Sequence, residues 1–206
     1  MERSLILIKN TKEVRNIITP KLIVITGGSG SGKTHLLNNW HFIEQDYSIV
    51  KKITTRSPRK AEQPETNKEF IFSCSRKEVE KCNFIYSYRD ELYGFLLCDI
   101  EEIHSRGKNA IIIIKSIDVI MQLKERYKKL ISILCVSNLE IDKLESYLES
   151  KGNPEGENKK RLYNKDDEIY KTEYSKFSYI FDKIIYNSYD ESFLLEIKMF
   201  INSYGK

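Results

Sequence analysis

Long hydrophobic runs are missing from this 206-residue chain. The longest, residues 110–114 ("AIIII"), falls far short of the roughly 20 apolar residues that a membrane helix needs. No charged-then-apolar leader is apparent either, so the expected location is cytoplasmic, with no membrane partner. Cysteine is sparse: Cys74, Cys82, Cys98 and Cys135 are widely spaced, with no C-x-x-C pair and no histidine spacing that would build a zinc site. Reduced, structural thiols are expected. Neither sign of charge dominates, since 34 basic and 30 acidic residues leave a net charge of +4 spread along the chain. That balance suits phosphate-bearing ligands and gives no reason to expect a nucleic-acid partner. Glycine is also scarce, which makes its placement informative.

Four of the nine glycines fall within "GGSGSGKT", residues 27–34. Gly27, Gly32, Lys33 and Thr34 meet the pattern G-x-x-x-x-G-K-[ST] between an expected strand and an expected helix, the context that gives the pattern a mechanism. Gly27, Gly28, Ser29, Gly30, Ser31 and Gly32 can turn successive backbone N–H groups around an anion, and the following helix adds its positive dipole end. Lys33 reaches the β and γ phosphates, and the Thr34 hydroxyl can ligate magnesium. The expected ligand is ATP with Mg2+. A strand-to-helix turn that merely needs small residues does not call for Lys33 and Thr34.

Short apolar runs alternate with helical patterns, which indicates an α/β fold with a parallel sheet. Strands are expected at Leu22–Thr26, Ser48–Lys52, Asn109–Ile114, Ile131–Val136 and Phe181–Tyr186. Helices are expected at Lys33–His41, Asp99–Arg106, Ile117–Lys128, Leu139–Ser150, Lys159–Ser175 and Glu191–Tyr204. Capping boxes at Ser137–Glu140 and Ser75–Glu78 mark two helix starts. Residues 53–73 and 150–161, polar and rich in proline or glycine, read as excursions. One domain over residues 21–206 follows an N-terminal segment, residues 1–20, with no assigned role.

Beyond the loop come "TTRSPRKAE", "EFIF", "NFIYSYRDELYG", "RGKNAIIIIKS", "LESKG" and "FDKIIYN". In this order and spacing the chain resembles the guanylate kinase family of nucleoside monophosphate kinases over about residues 21–204. The resemblance implies a P-loop kinase core with a central parallel sheet flanked by helices, an inserted acceptor-binding lobe near residues 53–95 and a lid near 148–162. It implies that Arg56 and Arg59 grip the acceptor's phosphate, a task for which paired guanidinium forks are suited. Tyr93, in the Tyr93-Gly94 pair, is implied to reach the same phosphate. Lys151 and Arg161 match basic lid residues that neutralise the transferring group, and Asn187 matches an asparagine near the chain's end. The implied reaction is phosphoryl transfer from ATP to a small phosphorylated acceptor, with Lys33, Arg56 and Arg161 as catalytic residues; oligomeric state is left open.

The chain departs from that family where guanine is read. Tyr86 stands in the place of a glutamate, Phe95 follows the Tyr-Gly pair where a hydroxyl is expected, and Ile113 and Lys115 replace two strand aspartates. Unpaired guanine N–H groups would cost roughly 1–3 kcal/mol each, which disfavours GMP. Tyr86 and Lys115 remain candidate acceptor contacts; the aromatic set Phe70, Phe84, Tyr86, Tyr88 and Phe95 either stacks on a base or forms the lobe's core, and Lys115 either holds a phosphate or turns to solvent. No carboxylate obviously replaces the missing ones, although Asp90, Glu91 and Asp99 lie nearby in sequence. A ribose-phosphate kinase and a non-catalytic phosphoprotein-binding module are the alternative functions.

Overall fold

The computed structural model describes residues 20–39, 46–59, 62–73, 75–150, 162–163, 165–170 and 174–204. The expected N-terminal segment, the basic lid residues Lys151 and Arg161, and most of the expected lid lie outside the described residues.

Five strands form a parallel sheet: β1 (Leu22–Gly27), β2 (Tyr47–Ile49), β7 (Asn109–Ile113), β8 (Leu130–Ser137) and β9 (Lys183–Asn187), in the order β2-β7-β1-β8-β9. Register is set by pairs such as Ile23 with Ile111 and Ile131. β1, β7 and β8 are buried along almost their whole length because both sheet faces are covered. Leu22, Val24, Ile112, Ile114 and Leu134 point to one core, with α3 (Leu97–Ser105) and α4 (Ile117–Arg126). Ile23, Ile25, Ile111, Ile113 and Ile133 point to the other, with α1 (Lys33–Asn38) and the C-terminal helix α6 (Glu191–Ser203). Side-chain alternation along each strand separates the two cores.

A second sheet of β3 (Lys52–Thr54), β4 (Phe70–Phe72), β5 (Phe84–Tyr88) and β6 (Glu91–Phe95) runs in the order β4-β3-β6-β5. The expected strand Ser48–Lys52 is corrected here, since it divides between the two sheets. Val50 still bonds to Ile111 of β7 (2.8 Å), whereas the Lys52 N–H already bonds to Glu69 (2.9 Å). The Lys52 side chain fixes the crossing: almost fully buried, its ammonium pairs with Glu69 at 2.9 Å, bonds to the Ile113 carbonyl and lies 4.7 Å from the Phe70 ring centre.

β5 and β6 were not expected as strands. They form a hairpin whose two turn residues, Arg89 and Asp90, have φ of 55° and 62°, the left-handed pair of a type I′ turn. Residues Phe84, Tyr86 and Tyr88 face inward and Ile85 and Ser87 outward.

The expected helix Lys159–Ser175 is also corrected. Leu162 is helical, but the described residues from Lys165 on form 3-10 turns, Lys165–Tyr170 and Tyr174–Ile180. Ser75 does precede a helix, α2 (Arg76–Val79), though without a side-chain cap, whereas Ser137 ends β8 and α5 (Ile141–Ser150) begins four residues on. Ser116 and Asp190 cap α4 and α6 instead.

Candidate active site

Buried β1 delivers the chain into the 27–34 loop, whose backbone demands glycine. Gly32 has φ of 93° and faces Asn187 and Phe193 so closely that no Cβ fits; at Gly30, with φ of 81°, a Cβ would lie 2.8 Å from Leu144. Asn187 therefore acts against the loop from the end of β9. Tyr189, itself left-handed at φ of 66°, donates its hydroxyl to the Gly30 carbonyl (2.9 Å) and contacts Ser137 Oγ (2.6 Å). The loop is thus braced from behind. Lys33 is buried, its Nζ donating to Gly28 O (2.6 Å) and Ser31 Oγ (2.9 Å), while Thr34 is exposed at the mouth.

Across from the loop, Arg56 and Arg59 share one carboxylate. Arg56 donates both terminal nitrogens to Glu62 (2.8 and 3.1 Å), and Arg59 reaches it through its backbone N–H (2.8 Å) and Nη1 (3.4 Å). Burial opposes the Glu62 charge, but the Arg56 hydrogen bond and the Arg59 contacts outweigh it, so its pKa lies below the usual value. The Arg56 guanidinium also sits 4.8 Å from the Phe70 ring centre and 5.1 Å from that of Phe72. It is thereby held flat before any ligand arrives, which is how a fork gains specificity.

The aromatic set runs from Tyr88, whose hydroxyl lies 3.5 Å from Ser29 Oγ of the loop, to Phe70 beside Arg56. Tyr86 stacks on Tyr93 at 5.4 Å, Phe84 on Phe95 at 5.0 Å, and Tyr88 meets Tyr93 edge-on at 6.3 Å. Tyr93 in turn lies 6.0 Å from Phe70, whose ring carries Arg56. All but Phe70 are buried, so core packing uses most of this set. Tyr86 is among them, its hydroxyl bonded to the Lys115 backbone and its pKa raised well above the ordinary value by burial. Tyr93 feels the charges of Arg56, Lys52 and Arg59, although burial dominates and raises its pKa.

Lys115 does not turn to solvent. Its Nζ donates to Asp167 Oδ1 (2.7 Å) and to the Tyr88 hydroxyl (3.1 Å). Asp167 is the residue that sequence reasoning missed: fully buried, it also accepts from the Ser29 N–H (2.9 Å), Arg89 Nη2 (2.9 Å) and the Tyr88 hydroxyl (2.7 Å). Burial alone would raise its pKa; Lys115 above all, with Ser29 and Tyr88, holds it well below the carboxylate range. The carboxylate near the loop thus comes from the 3-10 turn at Lys165–Tyr170. Asp90 is exposed, Glu91 accepts from Thr55 (2.5 Å) and Asp99 lies beside Cys98. Among the described residues no cluster of three His, Cys, Asp or Glu side chains could cage a metal, and no helix is long and apolar enough to cross a membrane.

Comparison with known proteins places this geometry. A guanylate kinase family model matches residues 19–204. The guanylate kinase of Bacteroides thetaiotaomicron is 28% identical over 198 residues, covering 90% of this chain and 92% of that protein. Among solved structures, guanylate kinase from Anaplasma phagocytophilum superposes with a TM-score of 0.62 over 91% of this chain and 88% of its own, at 16% identity, a likeness of fold.

Proposed function

The chain belongs to the guanylate kinase family of nucleoside monophosphate kinase-like phosphotransferases, and on that premise we propose that it transfers the terminal phosphoryl group of ATP to a nucleoside monophosphate other than GMP. The observation that supports this reading is the chain of aromatic contacts that leads from Ser29 of the glycine loop through Tyr88, Tyr93 and Phe70 to Arg56; we read the loop with Lys33, and Arg56 with Arg59, as the anion grips at its two ends.

In this reading the loop's N–H groups and Lys33 take the donor's phosphates, while Arg56 and Arg59, oriented by Glu62, take the acceptor's phosphate. Transfer needs little more than positioning and charge stabilisation along the line between the grips. Thr34, exposed beside Lys33, is the protein ligand available to magnesium. Among the described residues there is no carboxylate cage, which suits an ion that arrives on the nucleotide's own phosphates and keeps its waters. When bound, that ion offsets phosphate charge.

Guanine is disfavoured because, among the described residues, the carboxylates that act on the wall are already paired, Glu69 with Lys52 and Asp167 with Lys115 and Arg89. Tyr86 spends its hydroxyl on the Lys115 backbone, Phe95 is buried against Phe84, and Lys115 is engaged with Asp167. Each guanine N–H left unpaired costs roughly 1–3 kcal/mol. The test is ADP release from magnesium ATP with ribo- and deoxyribonucleoside monophosphates and ribose phosphates. We expect one non-guanine monophosphate to turn over at least about tenfold faster in kcat/KM than GMP, and Lys33→Ala to lose more than about 100-fold. Silence across the panel with ATP still bound overturns the reading, and turnover of a ribose phosphate alone moves the acceptor class.

A further inference from the structure

The point occupied by the Asp167 carboxylate is built for a phosphate oxygen. Among the described residues every group directed at it is a donor: the Ser29 backbone N–H of the glycine loop, the Arg89 guanidinium, the Lys115 ammonium and the Tyr88 hydroxyl. Arg89 also donates to Ser29 Oγ (2.9 Å), so its guanidinium spans from the hairpin to the loop. It lies 5.0 Å from the Tyr88 ring centre and the Lys115 ammonium 4.5 Å from it, so both cations are fixed against one ring. Lys33 is near enough that its charge acts on Lys115. This point lies where the loop meets the aromatic wall that leads to Arg56.

We infer that Arg89 and Lys115 are further ligands of the donor's terminal phosphate, and that Asp167 holds their seat until ATP displaces it. The inference rests on the loop holding ATP. A carboxylate offers two oxygens to this set of donors; a terminal phosphate offers three and more charge, and so competes for the same groups with the advantage of charge-assisted bonds. ADP, which ends one phosphate short, leaves Asp167 in place. Arg89 is thus a substrate-touching residue carried by the acceptor lobe, presented to the loop by the type I′ turn of its hairpin.

The experiment is calorimetric titration with ATP and with ADP, both with magnesium and without acceptor, for wild type, Asp167→Asn and Arg89→Ala. Asp167→Asn should raise the preference for ATP over ADP at least about fivefold, because a neutral competitor is weaker. Arg89→Ala should lower that preference about tenfold, the worth of one charge-assisted bond. A purely structural cluster predicts lower thermal stability in both variants and no change in the ATP-to-ADP ratio. Should Asp167→Asn fail to fold, Arg89→Ala decides, since it leaves Asp167 paired with Lys115. Any variant that moves both nucleotides equally, or neither, overturns the inference. A silent acceptor panel leaves these binding results untouched and counts only against the kinase reading.

Discussion

Glu62 and Asp167 each gather basic side chains around a carboxylate of the chain itself, and they do so over different reaches. Glu62 lies three residues from Arg59 and six from Arg56 and keeps 19% of its side chain exposed. Asp167 lies 138 residues from Ser29, 78 from Arg89 and 52 from Lys115, and is fully buried. The Arg56–Arg59–Glu62 cluster is therefore local to one turn. The Asp167 cluster exists only when the main sheet, the hairpin of the second sheet and the Lys165–Tyr170 turn are assembled together. A partly solvated pair contributes little to stability and can exchange partners readily, whereas breaking a buried cluster strands charge. The two carboxylates should therefore respond differently to substitution.

The largest contrast is expected from Arg56→Ala. It removes the bidentate fork over Phe70 and should lower kcat/KM for the acceptor about 50-fold, the cost of a charge-assisted phosphate contact, while ATP affinity in the absence of acceptor changes less than about twofold. Steady-state kinetics with titration of ATP checks both; an equal loss on ATP would mean that the two grips are one site. A smaller effect separates the carboxylates themselves. Glu62 sits beside its arginines and orients them, so Glu62→Gln should raise the acceptor's KM about threefold at nearly constant kcat. A fall in KM instead would make Glu62 a place-holder of the kind inferred for Asp167, and the comparison would collapse.

The same contrast explains what the sequence discloses. The parallel sheet is legible because Leu22–Gly27 and Asn109–Ile113 are continuous apolar runs with glycine or polar punctuation. The loop is legible because its residues are contiguous, and so are Arg56 and Arg59. The hairpin at Phe84–Phe95 is harder to see because its turn is Arg89-Asp90 without glycine; the inward alternation of "FIYSY" is the signal that could have found it. The strand expected at Ser48–Lys52 merges two pieces because a buried lysine at its end reads as polar exit, whereas Lys52 is held inside by Glu69 and Ile113. Asp167 carries no local signal at all. "KDDE" reads as a solvated helix surface, and only the fold brings it beneath Ser29.

Acidification gives the finest test of the comparison. Both carboxylates have folded pKa values below their ordinary ones, Asp167 further than Glu62. Such a group stabilises the fold above its unfolded pKa, about 4, and that stability is lost as pH falls through the folded value. Of the groups facing Asp167, Lys115 has its own pKa lowered by burial and by the charge of Lys33, and acid favours its ammonium form, so it does not reverse this. For Glu62 the window below about pH 4 is narrow, because burial cancels part of what Arg56 and Arg59 supply. For Asp167 it extends far into acid. Thermal melts from about pH 7 downward should therefore show a wide gap in Tm between wild type and Asp167→Asn that closes slowly below about pH 4. The gap for Glu62→Gln should be small from the start and vanish within about one pH unit. A gap at Asp167 that stays constant with pH would mean that shape rather than charge holds the cluster, and the buried and solvated carboxylates would then differ in degree alone.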